Sequence, residues 1–288
     1  MQKRGLSGAA LKWIALICMA IDHTGATVVL QYVYRMAVIG AYTQYRRAYI
    51  AYYVMRWIGR FSFPVYCFLL VEGFFHTKSR GKYLRNLTIF ALISELPFDL
   101  AFYNTVFETS HQNVFLTLAI GLAALCLAEL VWDRVRERAG RAGKTAAQAE
   151  SLSVAENTSG AGKANMAGNS PLPASFLTRD FALRAAVGLA AVIPAAALAQ
   201  ILNTDYGGWG VVVIYIFYLL HDWKTLAAAA GVVVLTLMQS IEIFGFPAIP
   251  CIHFYNGTRG RQLKYFFYAF YPVHLLILYG VCRALGYY

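Results

Sequence analysis

Of the 288 residues, 59% are hydrophobic and only 14% charged, and the mean hydropathy is +0.52. Such values exclude an ordinary soluble domain: the apolar residues fall in runs close to the ~20 needed to cross a bilayer, so the expected fold is all-α, a polytopic integral-membrane helical bundle surrounded by lipid. The net charge of +11 would suggest nucleic acid in a soluble chain, but Lys and Arg lie mainly between apolar runs, where they set topology and meet anionic lipid or phosphate, so no nucleic-acid partner is expected.

In chain order the apolar runs cover residues 11–30, 58–75, 87–103, 114–131, 181–202, 209–220, 225–238, 241–254 and 265–285. They predict about nine transmembrane helices, with a range of roughly 8–10 because the runs after Trp209 are short. The start, MQKRG before an apolar run, has the outline of a signal peptide, but Asp22 and His23 within that run and the lack of a small-residue cleavage motif predict a retained helix. Gly5-Leu6-Ser7-Gly8 spells the GxSG of intramembrane serine proteases, yet it precedes the first membrane helix, where no buried site would activate a serine.

The first run is unusual in holding Asp22 and His23 near its middle. Lys12 precedes His23 by eleven residues, which at about 100° per residue is roughly three turns plus 20°, so the two share a helix face about 16 Å apart. A cation at the membrane surface then looks along the helix toward a buried imidazole. That suits a long ligand with phosphates at one end and a reactive group at the other, the shape of acyl-coenzyme A.

Between the first two runs, VYRMAVIGAYTQYRRAYIAYYVMR is rich in Tyr and Arg and reads as an interfacial helix or a site for an acidic group. The next runs carry Arg60, Glu72 and His76, then Glu95 and Asp99, and the last carries His274. Each charge at mid-bilayer costs roughly 2.5–3.5 kcal/mol, so each needs a partner, a watery cavity or a task. Arg56 and Arg60, Glu72 and His76, and Glu95 and Asp99 are pairs four residues apart, each on one helix face. Asp22 and His23 do not face each other, so His23 needs an orienting carboxylate from another helix, Glu72 or Glu95, while Asp22 points to a separate partner.

The loops KSRGKYLR and NGTRGRQLK are basic and hold glycine, which fits phosphate contact but equally an ordinary positive-inside loop. With nine crossings and a cytoplasmic N-terminus, the main basic clusters fall on one side of a plasma membrane, with Arg35, Arg46, Arg47 and Arg56 facing outward. From about 140 to 175 the composition turns to Ala, Gly, Ser and Asn, predicting a disordered cytoplasmic loop within one membrane domain spanning 1–288. DYGGWG, at 205–210, reads as a turn that could line an acceptor entrance. The five cysteines have no CxxC and no His at ligand spacing; they read as small buried hydrophobes, and no metal is expected.

Taken together, LKWIALICMAIDHTG, GRFSFPVYCFLLVEGFFHT, FALISELPFDLAF, QNVFLTLAIG, FYNGTRG and FYPVHLLIL resemble the TraX family, named for the membrane protein that acetylates the N-terminus of conjugative pilin. The likeness covers nearly the whole chain except 140–175. The Lys12-to-His23 spacing is also similar to the basic-residue and histidine pattern of acyltransferase 3 membrane enzymes, whose histidine is the presumed catalytic residue and whose donor is cytoplasmic acyl-coenzyme A; that likeness carries over onto Lys12 and His23 only.

The resemblance implies an integral-membrane acetyltransferase that uses acetyl-coenzyme A (acetyl-CoA) and acts on an amine or hydroxyl of a protein N-terminus, a glycan or a lipid. His23 is then the general base, oriented by Glu72 or Glu95, with Asp22 in the catalytic group and Arg60 stabilising charge on the thioester oxygen. Lys12, Arg56, Arg259 and Arg261 would hold the coenzyme, and His76, Asp99 and His274 the acceptor. The bland alternatives are interhelical hydrogen bonds for His23, ion pairs that hold helices together for the carboxylates, and a snorkelling role for the arginines. The rival of another class is a proton-coupled transporter or flippase using the same charges.

Overall fold

The computed structural model describes residues 5–155, 179–261 and 263–288. It is all-helical there, with two isolated bridges, Leu6 to Tyr255 and Gln112 to Thr204, and no strand among the described residues. The elements are α1 (Gly8–Thr24), a π-helical turn (Gly25–Val29), α2 (Leu30–Val38), α3 (Tyr42–Gly59), α4 (Ser62–His76), α5 (Arg80–Tyr103), α6 (Val114–Ala155), α7 (Arg179–Ile201), α8 (Gly207–Leu219), α9 (Lys224–Met238), α10 (Ala248–His253) and α11 (Lys264–Ala284). Short 3₁₀ turns, His221–Trp223 and Ser240–Gly245, flank α9.

Each apolar run coincides with helix, but fewer than nine of the described helices are long and apolar enough to cross a bilayer. Among the described residues five helical stretches are long and apolar enough to span a bilayer: Gly8–Val38, Tyr42–His76, Val114–Arg138, Phe181–Ile201 and Phe266–Ala284. Gly207–Leu219 and His221–Met238 bend by 91° at their junction, so together they make at most a sixth. The physical reason is length: at 1.5 Å per residue, the 13 residues of α8 and 15 of α9 each fall short of the ~30 Å hydrocarbon core. The helix α5 has the length, 24 residues, but Arg80, Lys82, Arg85, Glu95 and Asp99 lower its hydropathy.

The described residues form two compact units, one within 1–123 and 194–288 and the other within 124–193. Within the second, Arg184 Nη2 meets Glu129 Oε1 at 2.6 Å. The helix α6 runs on to Ala155, so 140–155 of the expected loop is helical backbone, and 156–178 lies outside the described residues.

The first unit contains the candidate site. There α1 packs against α3, α4 and α11, and the Ser62 hydroxyl donates 2.8 Å to the Ala15 carbonyl where α4 crosses α1. Leu11, Ala15, Val65 and Cys67 are fully buried along this seam. The start of α1 is closed by the loop before α11: Gly8 and Ala9 donate their N–H groups to the carbonyls of Thr258 and Arg259 at 2.8 and 3.0 Å. Ser7 caps the helix, its Oγ accepting from Ala10 N–H at 3.2 Å, so the serine of GLSG performs a capping task. The Tyr- and Arg-rich segment becomes the end of α2 and most of α3, with Tyr45, Tyr49 and Tyr53 in ring contact at successive turns.

Candidate functional site

Adjacent residues of a helix lie about 100° apart, so Asp22 and His23 look at different neighbours. Asp22 faces α3. Its Oδ2 accepts from Arg56 Nη1 at 2.5 Å and its Oδ1 from Arg60 Nη2 at 2.8 Å. Arg60 is held on three nitrogens, since Nη1 also donates to Glu242 Oε1 at 2.6 Å and Nε to the Arg56 carbonyl at 3.1 Å. The cluster thus joins two guanidinium groups to two carboxylates, which makes burial of all four tolerable. Gly59 leaves the room: a Cβ there would lie 2.2 Å from Asp22 Oδ1.

His23 faces α11 and α5. Its Nδ1 lies 2.7 Å from Nε2 of His274, the two rings are stacked 5.0 Å apart, and Phe102 and Tyr271 meet His23 edge-on. The tautomers follow from the next bond: His274 Nδ1 lies 2.8 Å from the Phe270 carbonyl, which can only accept, so His274 donates from Nδ1 and its neutral Nε2 accepts. His23 therefore donates from Nδ1, and its Nε2 carries the lone pair. One residue beyond Thr24 begins the π-helical turn, where Thr27 donates its hydroxyl to the His23 carbonyl at 2.7 Å. Gly25 in this turn lets α3 approach, as a Cβ would sit 2.9 Å from that of Met55.

The sequence-derived partners of His23 are therefore corrected. Glu72 accepts from His221 Nε2 at 3.0 Å, and His76 sits on the same face, its Nδ1 donating to the Glu72 carbonyl at 2.8 Å. Glu95 accepts from Asn113 Nδ2 at 2.5 Å and Asp99 from the Glu108 N–H at 3.0 Å, so both anchor the connection between α5 and α6. Orientation of His23 falls to His274, which the sequence reading assigned to the acceptor. Arg56, assigned to coenzyme, pairs with Asp22.

Two cavities flank these residues. The smaller, about 300 Å³, is lined by Asp22, His23, Arg56, Arg60, His111, Asp205 and Tyr206 among others. The larger, about 830 Å³, has Lys12, Lys78, Lys82, Arg85, Arg259 and His76 in its lining, with Tyr83, Tyr268 and Tyr271. Met19, Tyr66 and Val114 line both, so the cavities share a wall between Lys12 and His23. Arg261 is exposed, two residues beyond Arg259 on the loop before α11.

Glu242 and His111 escaped the sequence reading, as did the pairing of His111 with Asp205 of the DYGGWG turn. Glu242 lies in the run 241–254, where the same search for acids in apolar segments would have found it. His111 and Asp205, whose Nε2 and Oδ1 lie 3.8 Å apart, come from two loops joined by backbone bonds from Gln112 N to the Asn203 carbonyl and from Asp205 N to the Gln112 carbonyl. Thr117 Oγ1 donates to the Asp205 carbonyl beneath them. No local signal in the sequence joins these loops.

Among known proteins, the TraX protein family matches residues 7–139 and 177–282. The chain belongs to the TraX family. The two matched segments carry every residue of both cavities described above, and the gap between them falls in the composition-biased stretch. Among curated relatives of this TraX family member, the probable fimbrial assembly protein FimC, serogroup H1, of Dichelobacter nodosus is 29% identical, with 94% of each chain covered. No solved structure matches.

Proposed function

We propose that this TraX family protein is an integral-membrane acetyltransferase of the plasma membrane, with its N-terminus cytoplasmic, that uses acetyl-CoA as donor. The observation that carries the reading is the pair of cavities on either side of Met19, Tyr66 and Val114: one with a cationic lining suited to phosphates, the other holding a histidine with its acceptor nitrogen set by a hydrogen-bond chain. Their volumes fall within the roughly 300–1,000 Å³ of small-molecule sites. Membership of the TraX family and the spacing of Lys12 and His23 support the same chemistry.

In this reading Lys12 and Arg259 hold the coenzyme diphosphate, and the thioester passes Met19 to reach His23. His23 Nε2 removes the proton from the attacking amine or hydroxyl as that group forms a bond to the acetyl carbon. The carbon–sulfur bond then breaks, and the coenzyme leaves as thiolate, which takes up the proton. The Asp22, Arg56, Arg60 and Glu242 cluster holds α3 and the 240–245 turn against α1, with Arg56 and Arg60 presenting positive charge to the cavity where the oxyanion forms. The printed name of the FimC relative makes a fimbrial or pilus subunit the first acceptor to try.

The test is acetyl-CoA binding and thiol release by the full chain in nanodiscs, comparing wild type with His23→Ala and Lys12→Ala. Weaker binding in Lys12→Ala, together with lost thiol release but retained binding in His23→Ala, is the expected result. A folded wild type that binds no acetyl-CoA would overturn the reading.

A further inference from the structure

The basic loop KSRGKYLR has two readings by sequence, phosphate contact or topology alone, and the fold separates them. Lys78, Lys82 and Arg85 all line the larger cavity, although they start in the turn between α4 and α5 while Lys12 and Arg259 reach the same space from α1 and the loop before α11. Residues that only set topology have no reason to converge on one hollow. The Ser79 cap fixes their register, its Oγ accepting from Lys82 N–H at 3.3 Å, and places Lys78 just ahead of α5 and Lys82 and Arg85 in its first two turns. Tyr83 and Tyr268 line the space beside them.

Two cation groups from separate elements match a ligand with two separate phosphate positions. Coenzyme A has them: a diphosphate at the head of the pantetheine arm and a monoester on the ribose 3′ carbon. Lys12 shares a helix face with His23 and stands in line with the arm, so it takes the diphosphate together with Arg259. This leaves Lys78, Lys82 and Arg85 for the monoester, and the two tyrosines for the adenine face.

We infer that the α4–α5 turn is a 3′-phosphate site, so that the donor is a free coenzyme A thioester and not a phosphopantetheine thioester on a carrier protein, which lacks this group. The inference rests on the acetyl-CoA reading above. An arginine and two lysines around one phosphomonoester contribute charge-assisted hydrogen bonds, so removing the phosphate should weaken binding on the order of tenfold to a hundredfold.

The experiment measures the affinity of coenzyme A and 3′-dephospho-coenzyme A for the full chain in nanodiscs, with wild type and the Lys82→Ala/Arg85→Ala double variant. In the expected result wild type prefers coenzyme A, and the double variant, which keeps Lys78, loses most of that preference while its affinity for the dephospho form stays at the wild-type value. Equal affinity of wild type for the two compounds overturns the 3′-phosphate site while leaving the donor reading intact, and needs no variant to fold. A double variant that weakens both compounds equally also overturns it, because the cations would then act as a general field. Failure of folded wild type to bind either compound removes the donor reading itself, and the site with it.

Discussion

His23 donates its Nδ1 proton to Nε2 of His274 across 2.7 Å, and His274 in turn donates to the carbonyl of Phe270. The chain leaves one acceptor on the His23 ring, and a base needs such a nitrogen. Replacing His23 with Ala should lower acetyl-CoA thiol release by about 10²–10⁴-fold with coenzyme affinity retained. His274→Ala should lower turnover more than about tenfold without changing the coenzyme Kd, since it frees the His23 tautomer. In His274→Gln an amide oxygen can take the Nδ1 proton, so part of the lost turnover should return. A variant His274→Ala with wild-type turnover would show that the chain does not orient the base.

The cluster around Arg60 predicts a stability effect. Arg60 side-chain exposure is 9% and that of Glu242 is 0%, so Arg60→Ala leaves Glu242 buried without a guanidinium and Asp22 with Arg56 alone, and should cost about 3–5 kcal/mol. Arg56, with 24% exposure, touches Asp22 alone among the carboxylates described and should cost less. Thermal unfolding in detergent, read with a thiol-reactive dye at the buried Cys67, ranks the two variants. Equal melting temperatures would remove the distinction between a bridging and a terminal arginine.

Gly59→Ala tests the same cluster without changing charge. The new Cβ would stand 2.3 Å from Asp22 Cβ as well as 2.2 Å from its Oδ1, so α1 and α3 must separate or Asp22 must leave Arg60. The expected result is a lower melting temperature and reduced thiol release. In Gly81→Ala, where nothing lies within 4 Å of the added carbon, both should stay close to wild type.

Ser7 gives a separation of roles. As an N-cap, its replacement by Ala should destabilise α1 by about 0.5–2 kcal/mol while thiol release per folded molecule persists. Complete loss of turnover in a folded Ser7→Ala protein would restore the nucleophile reading of GLSG.

The loop pair His111 and Asp205 predicts a pH effect. The Asp205 carboxylate raises the His111 pKa above its ordinary value, burial opposes it, and Glu95 adds in the same direction as Asp205. A raised folded-state value means that this stabilisation is fully present below the unfolded pKa of about 6.5 and is lost as pH rises through the folded one. The melting temperature of wild type should therefore exceed that of His111→Asn most at about pH 6 and approach it on the alkaline side. A difference independent of pH would show that the two loops do not feel this proton.

Residue by residue, the site was legible in its members more than in its pairings. An ionisable group inside an apolar run is conspicuous because its desolvation cost is high, and this rule picked out Asp22, His23, Arg60 and His274, which meet at the candidate site, together with Glu72, Glu95 and Asp99, which line neither of the two cavities. The shared face of Arg56 and Arg60 was also legible, and both reach Asp22. The orienter of His23 was not, because a carboxylate and a second imidazole are equally suitable acceptors for Nδ1–H and spacing along one helix carries no information about its neighbours. Glu72 and Glu95 found partners in His221 and Asn113, on segments whose approach no local pattern announces.

By itself the sequence determined the all-helical membrane class, the buried ionisable groups and the alignment of Lys12 with His23, since hydropathy and the 3.6-residue repeat act over a few turns of one segment. Only the tertiary structure decided that Arg60 binds Glu242 across 182 positions and that His23 binds His274 across 251. It also decided that α8 and α9 meet at 91°, and that five cations from four segments line one cavity. Those outcomes depend on how helices pack, and packing is settled by the fit of many side chains from distant parts of the chain acting together.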